Sequence, residues 1–224
     1  MPVAITLKSI FMFRDRKDAA IKLAHALEKY KDRDVIVLGI PRGGAETAYY
    51  VARHLHAGLS LLVSRKLGHP SNPEYAVGAI AEDGRIYLNE AAQAGINHET
   101  IEQLKQQQKE EIVRRVQMLR NGEPLPDLKD KTVLLIDDGI ATGSTVFAAI
   151  RMCRNKEAAK VVVGAPVSGK SKLNKLQEEA DEVIILETPE FYTGVSQAYA
   201  KFGNLTDEEA LGFMELWREE QQKQ

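Results

Sequence analysis

Cysteine is almost missing from this chain: Cys153 stands alone, so no internal disulfide can form, and a lone thiol suits a reducing compartment. Its setting between Met152 and Arg154, in a helical pattern, predicts a buried small hydrophobe. Aromatic residues are scarce, at 6%, and offer no series of rings on which a nucleic-acid strand could stack. An excess of one charge is lacking too. Lysine and arginine number 30 against 32 aspartates and glutamates, a formal −2, which gives neither nucleic acid nor an anionic membrane an electrostatic hold. No apolar run approaches the ~18 residues of a membrane span, and the stretch from Met1 to Lys8 lacks the layout of a secretory signal. A cytoplasmic protein is expected. The remainder is ordinary globular material, 44% apolar over 224 residues, enough for one α/β domain with additions.

Three apolar runs end in Gly, Asp or Pro, and each leads into a helical pattern. Val35 to Gly39 passes through Pro41, Arg42, Gly43 and Gly44 into a helix from Ala45 to Leu55. Thr132 to Ile136 leads through Asp137–Gly143 into a helix from Ser144 to Asn155, and Val161 to Ala165 leads into one ending near Ala180. Short β-branched runs alternating with helices mark parallel strands buried on both faces. Leu59 to Ser64 and Glu182 to Leu186 supply two more. The fold expected is α/β, a doubly wound, mostly parallel five-stranded sheet. Outside that rhythm, Ala76 to Ile80 and Arg85 to Leu88 read as a hairpin around Asp83-Gly84. His98 to Asn121 reads as one long polar helix stopped by Gly122 and Pro124, either a surface helix or a dimerisation seam. Thr206 and Glu209 form a capping box for a last helix carrying Leu211, Met214 and Trp217.

The chemistry concentrates after the buried run Val133-Leu134-Leu135-Ile136. Asp137 and Asp138 come next, at the carboxyl end of a parallel strand, where ligands bind in such sheets. Two carboxylates there cannot both be buried, because each would lose its hydration, and hydroxyls, a cation or both are their natural partners. Gly139, Ile140, Ala141, Thr142, Gly143, Ser144 and Thr145 then open a helix. Amide N–H groups, hydroxyls and the positive helix end converge on one point, as a phosphate cradle requires. Diol-binding acids beside such a cradle describe a ribose 5-phosphate site.

The run Val133–Thr145 resembles the PRPP-binding motif of type I phosphoribosyltransferases, with four apolar residues, two acids and a Thr-Gly-Ser-Thr-like loop. The resemblance implies that Asp137 and Asp138 hold the ribose hydroxyls and that Ala141 to Thr145 hold the 5-phosphate. It also implies Mg²⁺ entering with the pyrophosphate of PRPP, with Asp137 and Asp138 as direct or indirect metal contacts. Pro41-Arg42-Gly43-Gly44 resembles the family's pyrophosphate loop, which implies a cis peptide joining Pro41 to Arg42. Arg65 and Lys66, a cation pair ending the second predicted strand, become pyrophosphate contacts, and Lys66 to Tyr75 resembles the loop that closes over PRPP. Arg42, Lys66 and Asp138 are the residues expected at the reaction centre. Phe191 and Tyr192 are candidates to stack on the acceptor, or else to pack in a satellite core with Tyr199 and Phe202. An Asp commonly precedes the equivalent of Thr142 in the 6-oxopurine branch. Here the residue is Ala141, which weighs against hypoxanthine, guanine or xanthine.

The implied activity is transfer of phosphoribose from PRPP to an unidentified nitrogenous acceptor, a nucleobase-like molecule or an amine, in nucleotide metabolism. A PRPP- or nucleotide-sensing regulator on the same fold is the alternative. The family further implies a homodimer. One domain is expected over residues 1–224, with a core at about 15–187 and a hood from about 1–14 and 188–224. A competing motif, Gly164 to Ser171, satisfies the Walker A pattern, with Glu187 as a conceivable Walker B acid. Pro166 and Val167 stiffen a loop that must wrap phosphates, so a P-loop NTPase is the weaker reading. The histidines offer no metal site, since His54 and His56 do not share a helix face and His25, His69 and His98 are isolated along the chain.

Overall fold

The computed structural model describes residues 12–93 and 95–223, the side chains of residues 73 and 74 excepted. Residues 1–11 of the expected hood therefore lie outside the described residues. Five strands form a parallel sheet: β1 (Val35–Gly39), β2 (Gly58–Leu61), β6 (Thr132–Ile136), β7 (Lys160–Val167) and β8 (Glu182–Glu187). Their order is β2-β1-β6-β7-β8. The chain winds outward from β1 in one direction and from β6 in the other, so the order reverses between β1 and β6, and a crevice opens beyond their carboxyl ends. The α/β class and the parallel sheet are as expected from the alternating pattern.

Strand residues alternate between two helical layers, as the period of two demands. Val35, Val37, Leu134 and Ile136 face α1 (Arg16–Ala26) and α2 (Gly43–Leu55), where Leu23, Leu27 and Val51 complete one core. Leu38, Val133 and Leu135 face the other way, against Phe147 and Ile150 of α5 (Ser144–Asn155) and Leu176 of α6 (Lys170–Glu179). Cys153 belongs to this second core, where burial pushes its thiol up to about 12. It packs as a small hydrophobe.

A second, antiparallel sheet holds β3 (Ser64–His69), β4 (Asn72–Ala81) and β5 (Ile86–Leu88). Two sequence-based boundaries are corrected here. Leu59 to Ser64 is not one strand: β2 ends at Leu61, the chain leaves the parallel sheet, and Ser64 already pairs with Ala81 in the other. Residues 66–75, expected as a loop, run through β3 and into β4, with a register shift on either side of Gly68. The hairpin around Gly84 forms as read, with Gly78 opposite Leu88 and Ile80 opposite Ile86. After the short α3 (Glu90–Gln93), α4 (His98–Arg120) starts at an Asn97 side-chain cap and ends where Asn121 takes a left-handed conformation. It buries Ile112 and Leu119, and its buried Arg120 bonds Glu82 at 2.6 Å and the Leu61 carbonyl at 2.9 Å. The last helix, α7 (Asp207–Gln221), has the expected capping box and sets Ala210 and Met214 in a third core with Leu61 and Leu67.

The Walker-like stretch does not form a phosphate loop. Gly164 to Val167 lie inside β7, and their carbonyls at Gly164 and Val167 accept from Asp137 and Ile140 at 3.2 and 2.8 Å. Ser168 and Gly169 donate to the carbonyls of Glu187 and Ile140. A strand with spent donors cannot wrap a phosphate, and the P-loop reading falls.

Candidate functional site

The chain reaches the crevice twice, directly after β1 and directly after β6, and the two segments interlock. The Pro41–Arg42 peptide is cis. Gly43 and Gly44 then begin α2, with Gly44 buried. A Cβ on Gly43 would lie 1.8 Å from Asp138 Oδ2, so only glycine allows the acid to stand there. Arg42 is exposed at the rim.

The segment after β6 turns away from the sheet at Asp137. Ile140 bridges to Ser168, and the backbone then swings through Ala141 and Thr142 to Gly143, whose φ of +76° suits a residue without a side chain. Gly143 caps α5, and Ser144 begins it. Among the described residues, no acceptor meets the amides of Ala141, Thr142 or Gly143. The Thr142 hydroxyl donates to Ser144 Oγ at 3.3 Å, so both hydroxyls stand at the same mouth. Open N–H groups at the start of a three-turn helix attract an anion.

The acids are not equivalent. Asp138 is buried, and Arg16 Nε donates to its Oδ2 at 2.7 Å. Asp137 is half-buried, lines the cleft with residues 139–146, and accepts the Asp138 amide at 2.9 Å. Burial, and then the neighbouring Asp138 charge, hold the Asp137 carboxyl above the usual carboxylate range. Burial also raises Asp138, while the Arg16 charge opposes it. One carboxylate thus has a cation, and the other faces the cleft.

The pleat of β3 separates the predicted cation pair. Ser64 and Lys66 share one face: the Ser64 hydroxyl donates to the Thr145 carbonyl at 3.3 Å, and Lys66 lines the cleft beside Asp137 and Thr142. Arg65 points to the other face, where its Nε donates to Gln108 Oε1 of α4 at 3.1 Å. Burial and then the Arg115 charge lower its pKa. Lys66 therefore shares the cleft with residues 139–146, and Arg65 turns to α4.

Phe191 is 82% exposed. Tyr192 packs against Gly169 and a small core formed by Phe13, Ala19, Val167, Ala198 and Tyr199. Its buried hydroxyl has no hydrogen-bond partner among the described residues, and burial with the nearby acid charges pushes its pKa up. Tyr192 thus packs with Tyr199 and Phe202, the alternative to stacking on an acceptor, while Phe191 does not. Arg16 and Tyr199 are the site residues that sequence reasoning missed. The Arg16 guanidinium stacks 4.0 Å over the Phe202 ring while pairing with Asp138, and the Tyr199 hydroxyl donates to the Asp138 carbonyl. No local motif marks either one, because both reach Asp138 from far along the chain.

These features agree with comparisons to known proteins. Residues 12–200 match the family model described as "Phosphoribosyl transferase domain". A Mycobacterium tuberculosis H37Rv protein named "Putative phosphoribosyl transferase Rv0571c" is 38% identical over 206 residues, or 91% of this chain. A protein of the same description from strain CDC 1551, MT0597, matches to the same extent. The chain spans 46% of the length of each of these relatives. The crystal structure of TT1426 from Thermus thermophilus superimposes with a TM-score of 0.77 at 34% identity, covering 92% of this chain and 99% of that one. With the family model matched over most of its length, this chain belongs to the phosphoribosyl transferase domain family.

Proposed function

We propose that the chain transfers the 5-phosphoribosyl group of PRPP to a nitrogenous acceptor, releasing pyrophosphate. The observation that carries this reading is the set of open amides at Ala141, Thr142 and Gly143, next to the cleft-facing Asp137 and at the one point where the strand order reverses. In this reading the loop 141–145 grips the 5-phosphate and Asp137 and Asp138 hold the ribose hydroxyls. Arg42, Gly43 and Gly44 receive the pyrophosphate from one side, and Lys66 from the other. Arg65, held by Gln108, adds positive charge behind them.

Displacement at the anomeric carbon builds positive charge on the sugar and negative charge on the leaving group, so positioning and charge neutralisation dominate. Asp138 lies against Gly43 and Arg16, and so fixes the distance between the sugar end and the pyrophosphate end. The donor set fits Mg²⁺: Asp137 is a hard oxygen ligand whose charge is disfavoured until a cation arrives. Bound with PRPP, that ion would neutralise pyrophosphate oxygens. The acceptor approaches from the side of Phe191, whose ring is exposed, while Tyr192 packs beneath it with its hydroxyl buried. Ala141 keeps 6-oxopurines low among candidates. A homodimer accompanies this reading by family resemblance.

The test is calorimetry of the full chain with PRPP and Mg²⁺, followed by a screen of bases and amines for pyrophosphate release. Saturable PRPP binding that Asp137→Asn weakens, with release from at least one acceptor, is the expected result. Binding with no release from any acceptor would point instead to a PRPP-sensing regulator. No binding at all would remove the assignment.

A further inference from the structure

Both helices that begin at the candidate site end together at the opposite end of the molecule. α1 starts at Arg16, which holds Asp138, and α2 starts at Gly43, against the same acid. At their far ends, His25 in the last turn of α1 and His54 in the last turn of α2 come into ring contact, edge to face, with centroids 4.7 Å apart and planes at 72°. Glu28, opening the 3-10 turn Glu28–Tyr30, closes the third side and hydrogen-bonds His54 Nε2. One ligand atom from each of the three residues lies within 4.8 Å of the others. The expectation that His25 is isolated is therefore corrected: packing of α1 on α2 unites residues that local spacing keeps apart.

From this the geometry points to a divalent transition-metal site formed by His25, Glu28 and His54, separate from the candidate phosphoribosyl site. Two imidazole nitrogens and one carboxylate oxygen are the donor set of Zn²⁺ and of Co²⁺ or Ni²⁺, with one position left for water. Mg²⁺ and Ca²⁺ prefer oxygen and fit it poorly. Ligand atoms around a tetrahedral Zn²⁺ stand about 3.3 Å apart at bond lengths of about 2.0–2.2 Å, which small rotamer changes reach from the spacing present. The backbone of the site is rigid. Ala24, Leu27 and Leu55, the neighbours of the three ligands, are 0–2% exposed, so the core fixes the main chain while the ligands turn outward. The negative ends of two helix dipoles also meet there and favour a cation. Lys31 Nζ lies 3.4 Å from Glu28 Oε1, and Oε2, now bonded to His54 Nε2, is the oxygen that would turn to the metal. A bound ion would clip the tail of α1 to the tail of α2 and so brace the two helices whose heads hold Asp138.

The test is titration of metal-free full-length protein with Zn²⁺ in competition with a chromophoric chelator, together with the visible spectrum of the Co²⁺ form and thermal melts with and without Zn²⁺. One equivalent should bind with micromolar or tighter affinity, give the intense bands of four-coordinate Co²⁺ and raise Tm. His25→Ala and His54→Ala should each weaken Zn²⁺ by more than the roughly 10–100-fold that loss of an outer-shell partner costs, and abolish the Tm rise. Glu28→Gln should weaken it less. His98→Ala, and Asp137→Asn in the other site, should bind as the parent does. Zn²⁺ affinity unchanged in both histidine variants, or no saturable binding, overturns the site. Should His54→Ala fail to fold, the exposed His25 position decides alone.

Discussion

Two segments of this molecule carry sequences suited to phosphate, and only one leaves its backbone donors open. Asp137–Thr145 and Gly164–Ser171 each follow apolar runs, each contains glycine and hydroxyl residues, and each precedes a helix. In the first the chain leaves the sheet at Asp137, and the amides of 141–143 have no acceptor among the described residues. In the second the chain stays in β7 through Val167, and the amides of Ser168 and Gly169 donate to neighbouring backbone carbonyls. Composition brings donors to both, but a binding loop also needs those donors unspent. The point where a strand stops therefore decides between them.

The largest break in this contrast should come from Arg16. Its partner Asp138 is buried, and side-chain exposures of 8% and 12% leave little water to take over. Arg16→Ala strands that carboxylate and should cost about 3–5 kcal/mol in urea unfolding, whereas a change at Lys170 should leave stability nearly unchanged. Next come the glycines that cap the two following helices. Gly143 has a φ of +76°, and a Cβ there would lie 2.9 Å from the Phe147 ring. Gly143→Ala should cost about 1–2 kcal/mol for the left-handed backbone alone, and Gly169→Ala, at a φ of −64° but with its Cβ 3.0 Å from the Tyr192 ring, less. Equal losses would erase the distinction between the loops.

A smaller effect concerns pH. The folded pKa of Asp137 is raised by burial and by Asp138, so its stabilising contribution is complete below the ordinary carboxylate value of 3.8 and is lost as pH rises through the raised folded value. Asp137→Asn should then raise Tm of the unliganded protein at neutral pH and flatten its pH dependence above about 4, even as PRPP binding weakens. A lower Tm at neutral pH would contradict the electrostatic account. The smallest change is expected at Lys170, since Lys170→Ala should leave calorimetric PRPP binding as it was.

How far the sequence can be read follows the same division between local and distant. β1 and β6 match the expected strands residue for residue, because buried β-branched runs with sharp punctuation have one plausible conformation. The boundary between β2 and β3 was hidden because Leu61, Leu62 and Val63 are all buried and no turn residue marks the change of sheet. α1 is faint in the sequence because its buried face is mostly alanine, at positions 19, 20 and 24, which leaves a weak stripe. At the candidate site, the contiguous run 137–145 was legible in order. Arg16 and Tyr199 were not, since they meet Asp138 across 122 and 61 positions. The division of Arg65 from Lys66 needed the true start of β3.

That start has a further consequence. Along β3 the even positions 64 and 66 look toward the helix-capping loop and the odd position 65 looks toward α4, so the ribbon has a reading frame of two. Shortening or lengthening it by a pair of residues preserves which ammonium or guanidinium group meets the cleft. An insertion of one residue before Ser64 would exchange them, putting a planar, branched cation where a slender one now stands and turning lysine toward Gln108. Homologues that vary the length of this ribbon should therefore do so in even steps, or else carry their lysine and arginine in reversed order.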